Sequence, residues 1–199
     1  MNKPYSAAVD RNKDPIYQVV KQYFLQNKLL LEIGSGTGQH AVYLAEKFSS
    51  LDWVTSDVEE NHSGIKEWLK DAKLKNIKGP ETLKVGIDDF PKKSFDYVFT
   101  ANTLHIMSWK ENKTLFKLLG KRLREGALTF IYGPFNFGGN FTSGSNEEFD
   151  KFLKDRDPKS GIRNFEDVSK AMSAAGFKLL KDYEMPSNNR LLVFERLPH

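Results

Sequence analysis

The sequence predicts an α/β protein built on a doubly wound, mostly parallel sheet. The main observation is that its apolar segments alternate between short continuous runs, typical of buried strands, and the 3.6-residue spacing of amphipathic helices. Strands connected through helices take right-handed crossovers, which makes neighbouring strands parallel. No repeat or low-complexity tract interrupts the 199 residues. We therefore expect one domain over residues 1–199, with an N-terminal helical segment at 1–27 and a lid-like insertion at about 134–164.

The first predicted elements are a helix, a buried strand and a second helix. Asp14 followed by Pro15 predicts a helix start, and the apolar positions from 16 to 24 then repeat at helical spacing. Residues 29–33 form an almost wholly apolar run that ends at Gly34, as expected of a parallel strand covered on both faces. Residues 41–48 return to the helical period.

The same cycle continues through the middle of the chain. A strand at 53–56 ends at Asp57, and a helix with apolar positions from 65 to 72 precedes a short strand near 83–85. A further buried strand spans 95–101. Ser108 and Glu111 then stand three apart, as in a capping box, before a helix that reaches residue 123, and 127–132 form the next strand.

The last third has a different character. Residues 132–144 are rich in Gly, Asn and Phe and predict a mobile cover over the site, followed by a second capping box at Ser145 and Glu148. Asn164 and Asp167 predict the start of another helix, which ends in a left-handed turn at Gly176. Residues 177–183 and 191–195 predict an antiparallel strand pair.

Composition excludes several classes of function. The chain has no Cys, which removes disulfide scaffolds, thiolate metal sites, iron–sulfur clusters and cysteine nucleophiles. No apolar signal core or stretch of about 18 apolar residues is present, so a cytoplasmic protein without a membrane partner is expected. The net charge of +4 comes from dispersed Lys and Arg, which disfavours a nucleic-acid partner. No metal site is predicted, and the oligomeric state is not determined by the sequence.

A glycine-rich loop joins the first strand to the next helix. Residues 32–40 read Glu-Ile-Gly-Ser-Gly-Thr-Gly-Gln-His and lie where open α/β sheets bind ligands. Glycines permit positive φ and let main chain approach a ligand closely. Gln39 stands where a dinucleotide fingerprint needs its third glycine, and no Lys-Ser/Thr follows Gly38 as a phosphate-binding loop requires.

Two carboxylates narrow the choice of ligand. Glu32 in the loop favours a ligand with a positive group over a diphosphate, and S-adenosylmethionine carries an ammonium and a sulfonium. Asp57 ends the second strand 23 residues after Gly34, where it can accept hydrogen bonds from both ribose hydroxyls. A plain turn and a helix-capping Asp are the alternatives, but their joint occurrence at strand ends favours a cofactor site.

On these residues the sequence resembles the class I S-adenosylmethionine-dependent methyltransferases, and more narrowly the methyltransferase-like family described as domain of unknown function 938. The likeness runs almost end to end and implies a Rossmann-like, seven-stranded sheet, mostly parallel with an antiparallel C-terminal strand pair. It is carried by the segments at 11–16, 31–40, 102–109, 132–135, 145–150, 156–158, 161–163 and 188–189.

The resemblance assigns cofactor contacts position by position. It implies that Glu32, Gly34, Gly36 and Gly38 contact the methionine end of the cofactor and that Asp57 accepts from the ribose. Ser35, in the same loop, is a further cofactor-binding candidate. It also implies that Asn102, after the fourth strand, lies beside the methionine portion.

One position departs from the methyltransferase pattern. Lys84 aligns with an acidic residue that often follows the third strand and binds adenine. Asp88 or Asp89 could substitute for it, or the backbone of Val85 could hold the adenine edge unaided.

His105 is the candidate catalytic base. Methyl transfer is an in-line displacement that depends mainly on alignment, but a hydroxyl or protonated nitrogen acceptor is assisted by a base of near-neutral pKa. His105 follows the fourth strand by a few residues, at the ligand-binding edge of the sheet. A packing or capping role is the alternative. The other histidines, His40, His62 and His199, favour structural roles or none.

Aromatic residues predict a substrate pocket, because aromatic faces bind apolar groups and cations. The candidates are Trp109, Tyr132, Phe135, Phe137 and Phe141, with core packing as the alternative for Trp109 and Tyr132. Arg11 or Lys13 could pair with the cofactor carboxylate if the N-terminal segment folds over the site, and Arg11 is also a candidate substrate contact. A surface role is the alternative for both.

The sequence therefore predicts an S-adenosylmethionine-dependent methyltransferase that acts on a small molecule. Asn102-Thr103-Leu104-His105 replaces the Asn/Asp-Pro-Pro-Phe/Tyr motif of amino-directed DNA and protein-glutamine methyltransferases, which disfavours adenine methylation. Two alternatives remain open: a cofactor-binding interaction or sensing module without turnover, and an RNA methyltransferase.

Overall fold

The computed structural model of the protein describes residues 3–198. The chain forms two compact units, one ending at Thr100 and the other beginning at Ala101. Residues 1–2 of the predicted N-terminal helical segment and residue 199 lie outside the described residues. The predicted single domain and its boundaries stay predictions.

Residues 3–100 of the first unit contain three α-helices and four strands, the last of which runs on to Ala101. In chain order they are α1 (Ala7–Val20), β1 (Lys28–Ile33), α2 (Gln39–Lys47), β2 (Leu51–Asp57), α3 (His62–Ala72), β3 (Ile77–Thr82) and β4 (Tyr97–Ala101). The strands pair in parallel in the order β3-β2-β1-β4, with Leu30 opposite Trp53 on one side and Tyr97 on the other. Because these strands are parallel, the glycine loop after β1 and the end of β2 lie at the same edge of the sheet.

The second unit combines three helices with an antiparallel strand group. Its elements are α4 (Trp109–Arg122), β5 (Leu128–Asn136), α5 (Gly144–Arg156), β6 (Arg163–Asn164), α6 (Phe165–Ala174), β7 (Phe177–Met185) and β8 (Asn189–Arg196). β8 pairs antiparallel with both β5 and β7, and the short β6 runs parallel to β5.

The predicted fold class is confirmed. Strand order along the sheet is β3-β2-β1-β4-β5-β8-β7, with β6 beside β5. Parallel pairing in the first unit and the antiparallel C-terminal pair match the expectation. Residues 3–198 contain no helix that combines the length and apolarity needed to cross a membrane.

The first helix begins earlier than predicted. Ser6 is its N-cap residue, so Asp14 does not cap it and Pro15 lies in its interior. An interior proline removes one backbone hydrogen bond and costs about 3 kcal/mol. The helix also buries Val9 and Ile16 on one side, and this apolar burial offsets the cost.

The third strand is also displaced from its predicted position. β3 ends at Thr82, and the predicted residues 83–85 follow it. Gly79 and Pro80 lie within the strand and weaken its sequence signal. A proline is tolerated there because β3 is an edge strand, where one face of the backbone needs no partner.

Helix starts in the second unit agree with the sequence in part. The capping box of α4 is confirmed, since Ser108 Oγ accepts from Glu111 N at 3.2 Å and the Glu111 carboxylate accepts from Ser108 N at 2.8 Å. The capping box predicted at Ser145 is wrong, because Ser143 is the N-cap residue of α5 and accepts from Asn146 N at 3.1 Å. Asn164 is the N-cap residue of α6, as predicted.

Candidate functional site

The glycine loop after β1 brings bare main chain to the carboxyl edge of the strands. Its glycines Gly34, Gly36 and Gly38 have φ values of +72°, +57° and +89°. A Cβ atom on Gly36 would meet nothing within 4 Å, whereas one on Gly38 would lie 3.3 Å from the Cα of Ile65 and the Cβ of Trp68. Gly38 therefore permits close packing against α3, and Gly36 leaves open space beside the backbone.

Asp57, at the end of β2, holds this loop from the side. Its Oδ2 accepts from Gly36 N at 2.6 Å, while Oδ1 accepts from Val58 N at 2.7 Å and from Asn61 Nδ2 at 2.9 Å. A carboxylate offers about four acceptor positions, so one position is left for a ligand. Asp57 thus shapes the loop, and its role towards a ribose hydroxyl stays a prediction.

Glu32 is a buried carboxyl beneath the loop. It is 2% exposed, and its Oε2 accepts from Ser35 Oγ at 2.9 Å and from Trp53 Nε1 at 3.2 Å. Burial raises the pKa of Glu32 to about 7, and the negative charge of Asp57 adds to the rise. Among residues 3–198, no donor contacts its Oε1. This open oxygen in a buried site suits a cationic group.

The raised pKa predicts a pH-dependent effect of Glu32→Gln on stability. Because the folded state binds the Glu32 proton more tightly than the unfolded state, parent stability falls as pH rises from about 4.5 to about 7. Glu32→Gln has no titrating group at this position. The free energy of unfolding of the variant, relative to that of the parent, should therefore increase by up to about 3 kcal/mol between these pH values. Urea unfolding at pH 5 and pH 8 measures the change.

Glu60→Gln is the matched control, since Glu60 is exposed in the same unit. Its stability difference from the parent should stay constant between the two pH values. An equally constant difference for Glu32→Gln would contradict the assignment of a near-neutral pKa to this carboxyl.

The N-terminal segment is fastened to the start of α2. Ser6 N donates to Gln39 Oε1 at 2.6 Å, directly after the last glycine of the loop. Trp68 Nε1 donates to Pro4 O at 2.7 Å, and a Cβ on Gly64 would lie 2.5 Å from the Pro4 ring. The residues before α1 therefore lie against the first turn of α2 and against α3.

Two histidines of the first unit have structural partners, as expected. His40 Nε2 donates to Asn12 Oδ1 at 2.6 Å, and burial lowers the pKa of His40 to about 4. His62 Nε2 lies 3.1 Å from the carbonyl oxygen of Asp57. Both imidazoles fix the elements that carry the loop.

The region predicted for adenine follows β3. Leu83 N donates to Asp57 O at 2.9 Å, so the segment after β3 stays attached to the end of β2. Asp88 Oδ2 accepts from Lys84 N at 2.6 Å and closes the turn that contains the buried Val85. Asp88 has a structural role in this turn, and its role towards adenine stays a prediction.

His105 lies in a short turn after β4. It is 4% exposed, and its ring meets the Phe149 ring edge-on with centroids 5.3 Å apart. Burial, and then the charge of Arg163, lower the pKa of His105 to about 4. Within residues 3–198, neither ring nitrogen has a hydrogen-bond partner. The imidazole is therefore neutral at pH 7, and its pKa lies below the near-neutral value expected of a base in the sequence analysis.

Asn102 lies close to His105 in the second unit. Its φ is +57°, and its backbone N donates to Tyr132 O at 2.9 Å. A Cβ on Gly133 would lie 3.7 Å from His105 Nδ1 and 3.8 Å from Asn102 Oδ1. The amide and the imidazole are therefore brought together around Gly133.

The predicted substrate residues divide into buried and exposed groups. Tyr132 and Phe135 are 3% and 1% exposed and pack in the core of the second unit. The Trp109 ring lies 6.3 Å from that of Phe116 and is partly exposed. Arg11 is exposed on α1 in the first unit.

The Gly-rich segment after β5 carries two aromatic rings, of which that of Phe137 is packed and that of Phe141 is exposed. Phe137 stacks on Phe165 with centroids 5.1 Å apart, and the guanidinium of Arg190 lies 5.5 Å from its centroid. Phe141 is 37% exposed. Phe137 is thus held in place, while the role of either ring towards substrate stays a prediction.

Sequence reasoning missed Gln39, Asn112 and Arg163. Gln39 fastens the N-terminal segment, and the other two bind backbone carbonyls around His105. Backbone acceptors are present at every residue and leave no mark in the sequence. Only the position of Gln39 directly after the glycine loop signalled its importance.

Solved structures share this fold at low sequence identity. An O-methyltransferase family protein from Burkholderia thailandensis has a TM-score of 0.80 and 14% identity over 96% of this chain and 57% of its own. The S-adenosylmethionine-dependent methyltransferase SibL, in its apo form, has a TM-score of 0.80 and 19% identity over 96% of this chain and 56% of its own.

A third structure was solved with a small molecule. An O-methyltransferase family 2 protein from Planctomyces limnophilus, in complex with apigenin, has a TM-score of 0.76 and 15% identity over 85% of this chain and 50% of its own. This chain therefore spans 50–57% of the length of these three proteins.

The family assignment covers nearly the whole chain. The family described as "Protein of unknown function (DUF938)" matches residues 3–196. These residues include the glycine loop, the end of β2 and the turn that carries His105. The chain therefore belongs to the DUF938 family and has the fold of S-adenosylmethionine-dependent O-methyltransferases.

Proposed function

We propose that this protein transfers the methyl group of S-adenosylmethionine to a small-molecule acceptor. The observation that carries the proposal is the open space at Gly36, beside a backbone N–H that is already held by Asp57. A ligand that approaches main chain so closely needs a residue without a side chain. Similarity to methyltransferases of known fold supports the same cofactor.

The groups of the first unit fit the cofactor chemically. Glu32 offers an open, buried carboxyl oxygen to a cationic group, and Asp57 retains an acceptor position for a ribose hydroxyl. The main chain at Gly36 faces open space in the loop. When bound, the cofactor supplies an electrophilic methyl group on a sulfonium. Asn102, Val85 and Asp88 remain proposed additional contacts.

His105 is the proposed general base of the reaction. Its imidazole is neutral at pH 7 because burial and the charge of Arg163 disfavour protonation. Its unpartnered ring can accept the proton that an acceptor hydroxyl loses on methylation. Phe149, which packs edge-on against the ring, limits the approach of water from that side.

Calorimetry and a transfer assay together test the proposal. S-adenosylmethionine and its demethylated product should both bind at micromolar concentrations. Methyl-labelled cofactor should then label a compound in the small-molecule fraction of a cell lysate. Binding without labelled product would instead identify a cofactor-binding module, and the lack of binding by either compound would overturn the proposal.

His105→Ala should separate chemistry from cofactor binding. A positioned general base contributes about 10²–10⁴-fold to rate, so turnover should fall by at least about 100-fold. Cofactor affinity should stay within about twofold of the parent, because His105 is not among the proposed cofactor contacts. Initial rates and calorimetry on the same preparation measure both effects. Undiminished turnover would exclude His105 as the base.

A further inference from the structure

The turn that carries His105 is held by an unusual number of donors to its backbone. All four carbonyl oxygens of residues 104–107 accept hydrogen bonds from outside the turn. The donors are Asn112 Nδ2 (2.8 Å) and Arg163 Nε (3.2 Å) to Leu104 O, Gly161 N (2.9 Å) to His105 O, Ser160 Oγ (2.7 Å) to Ile106 O, and Asn112 Nδ2 (3.2 Å) and Arg163 Nη2 to Met107 O.

Arg163 binds this turn at two carbonyl oxygens and, together with the single bond from Ser160 Oγ, ties it to the segment after α5. Its guanidinium donates to Leu104 O and Met107 O on the turn and, at 2.8 Å, to Lys159 O at the start of its own segment. The planar fork of a guanidinium can reach several acceptors in fixed directions, which an ammonium cannot do. Arg163 thus holds the turn of His105 and the segment that begins near Lys159 against each other.

The charge of Arg163 is not neutralised by a direct ion pair among residues 3–198. Asp150 is the nearby carboxylate that acts on it, but Asp150 pairs with Lys154 at 2.6 Å and accepts from Ile162 N at 2.7 Å. After burial, the charge of Arg163 is the second cause that lowers the pKa of His105. On the α5 side, the ring that packs against the imidazole is that of Phe149, which carries no charge.

We propose that Arg163 is a positioning residue that fixes the turn of His105 and keeps a positive charge beside its imidazole. The catalytic side of this role rests on the proposed use of His105 as a base. The effects of Arg163 on the turn and on the imidazole can be measured without cofactor or substrate. Arg163 touches no reacting group. It acts through the backbone of residues 104–107 and through the field at the imidazole.

NMR titration of the His105 ring tests the proposal without cofactor or substrate. The parent imidazole should stay neutral down to about pH 5, since its pKa is about 4. Arg163→Gln should raise the titration midpoint by about one pH unit, because it removes the nearby charge. Arg163→Lys should keep the parent midpoint. The absent signal in His105→Ala identifies the resonance. An unchanged midpoint in Arg163→Gln would overturn the proposal.

Arg156→Gln is the matched control for the loss of one positive charge. Arg156 lies on α5 with its guanidinium 5.6 Å from the Phe152 ring, and among residues 3–198 the hydrogen bonds to the carbonyl oxygens of 104–107 come from other residues. Its removal should leave the His105 midpoint at the parent value. An equal rise in both variants would overturn the proposal, since it would reflect net charge alone.

Arg163→Lys tests the positioning part, including the case in which Arg163→Gln does not fold. Lysine keeps the charge but cannot bind Leu104 O and Met107 O together. Hydrogen exchange of Gly161 N and Met107 N should therefore be at least about tenfold faster than in the parent. Turnover should fall while KM for the cofactor stays unchanged. Parent-like exchange would overturn the proposal, whereas failed cofactor binding in the parent would count only against the proposed function.

Discussion

Gly36→Val should abolish cofactor binding, with a loss of affinity of at least about 100-fold, or roughly 2.7 kcal/mol. The branched side chain would fill the space that is open beside Gly36, where nothing lies within 4 Å of a Cβ position. It would also place a non-glycine residue at a φ of +57°, which strains the loop. Calorimetry with S-adenosylmethionine measures the loss directly.

Gly126→Val separates the two causes. Gly126 also has a positive φ, of +75°, and also has nothing within 4 Å of its Cβ position, but it lies in the turn before β5. Both variants should therefore lose similar folding stability, on the order of 1–3 kcal/mol. Only Gly36→Val should lose the cofactor. Equal affinities in the two variants would exclude Gly36 as a contact.

Gly120→Ala should give the largest loss of stability among single-methyl changes in the second unit. Its Cβ would lie 2.2 Å from the carbonyl oxygen of Ala175, so α4 and the end of α6 would have to separate. Gly120 O also accepts from Arg196 Nε at 3.0 Å, and this bond would be disturbed. Overpacking of this kind costs about 1–3 kcal/mol, and more where backbone must move.

Gly144→Ala is the matched control for this helix substitution. Gly144 is the first residue of α5, and its Cβ position meets nothing within 4 Å. Alanine should be neutral there or stabilise by up to about 1 kcal/mol, because it restricts the unfolded chain. Urea unfolding followed by circular dichroism compares the two variants. Equal stabilities would contradict the tight contact at Gly120.

Local patterns predicted most of the fold because each depends on neighbouring residues. The apolar run before Gly34 and the spacing of Ser108 and Glu111 carry their structural meaning within a few positions. The predicted start of α1 and the predicted position of β3 were wrong because both depend on tertiary contacts and not on neighbouring residues. Pro15 and Pro80 disfavour their elements locally, and only packing or an edge position permits them.

In the candidate site, too, the features set by local sequence could be predicted and those set by tertiary contacts could not. Glu32 and Asp57 could be predicted because they come at strand ends, where parallel topology brings them to one edge of the sheet. The hydrogen bonds that Asp57 already makes to the loop backbone could not be predicted. Nor could the part played by Arg163, because its partners are carbonyl oxygens that every residue possesses.

The attachment of Ser6 to Gln39 has a consequence for the order of folding. The contacts of Pro4 and Ser6 reach residues 39 and 68, so they close long stretches of chain. Loop closure over such separations is entropically slow compared with local helix formation. We therefore expect the glycine-bearing bend to reach its final rigidity late in folding, only after Pro4 and Ser6 have docked on the helices that carry Trp68 and Gln39.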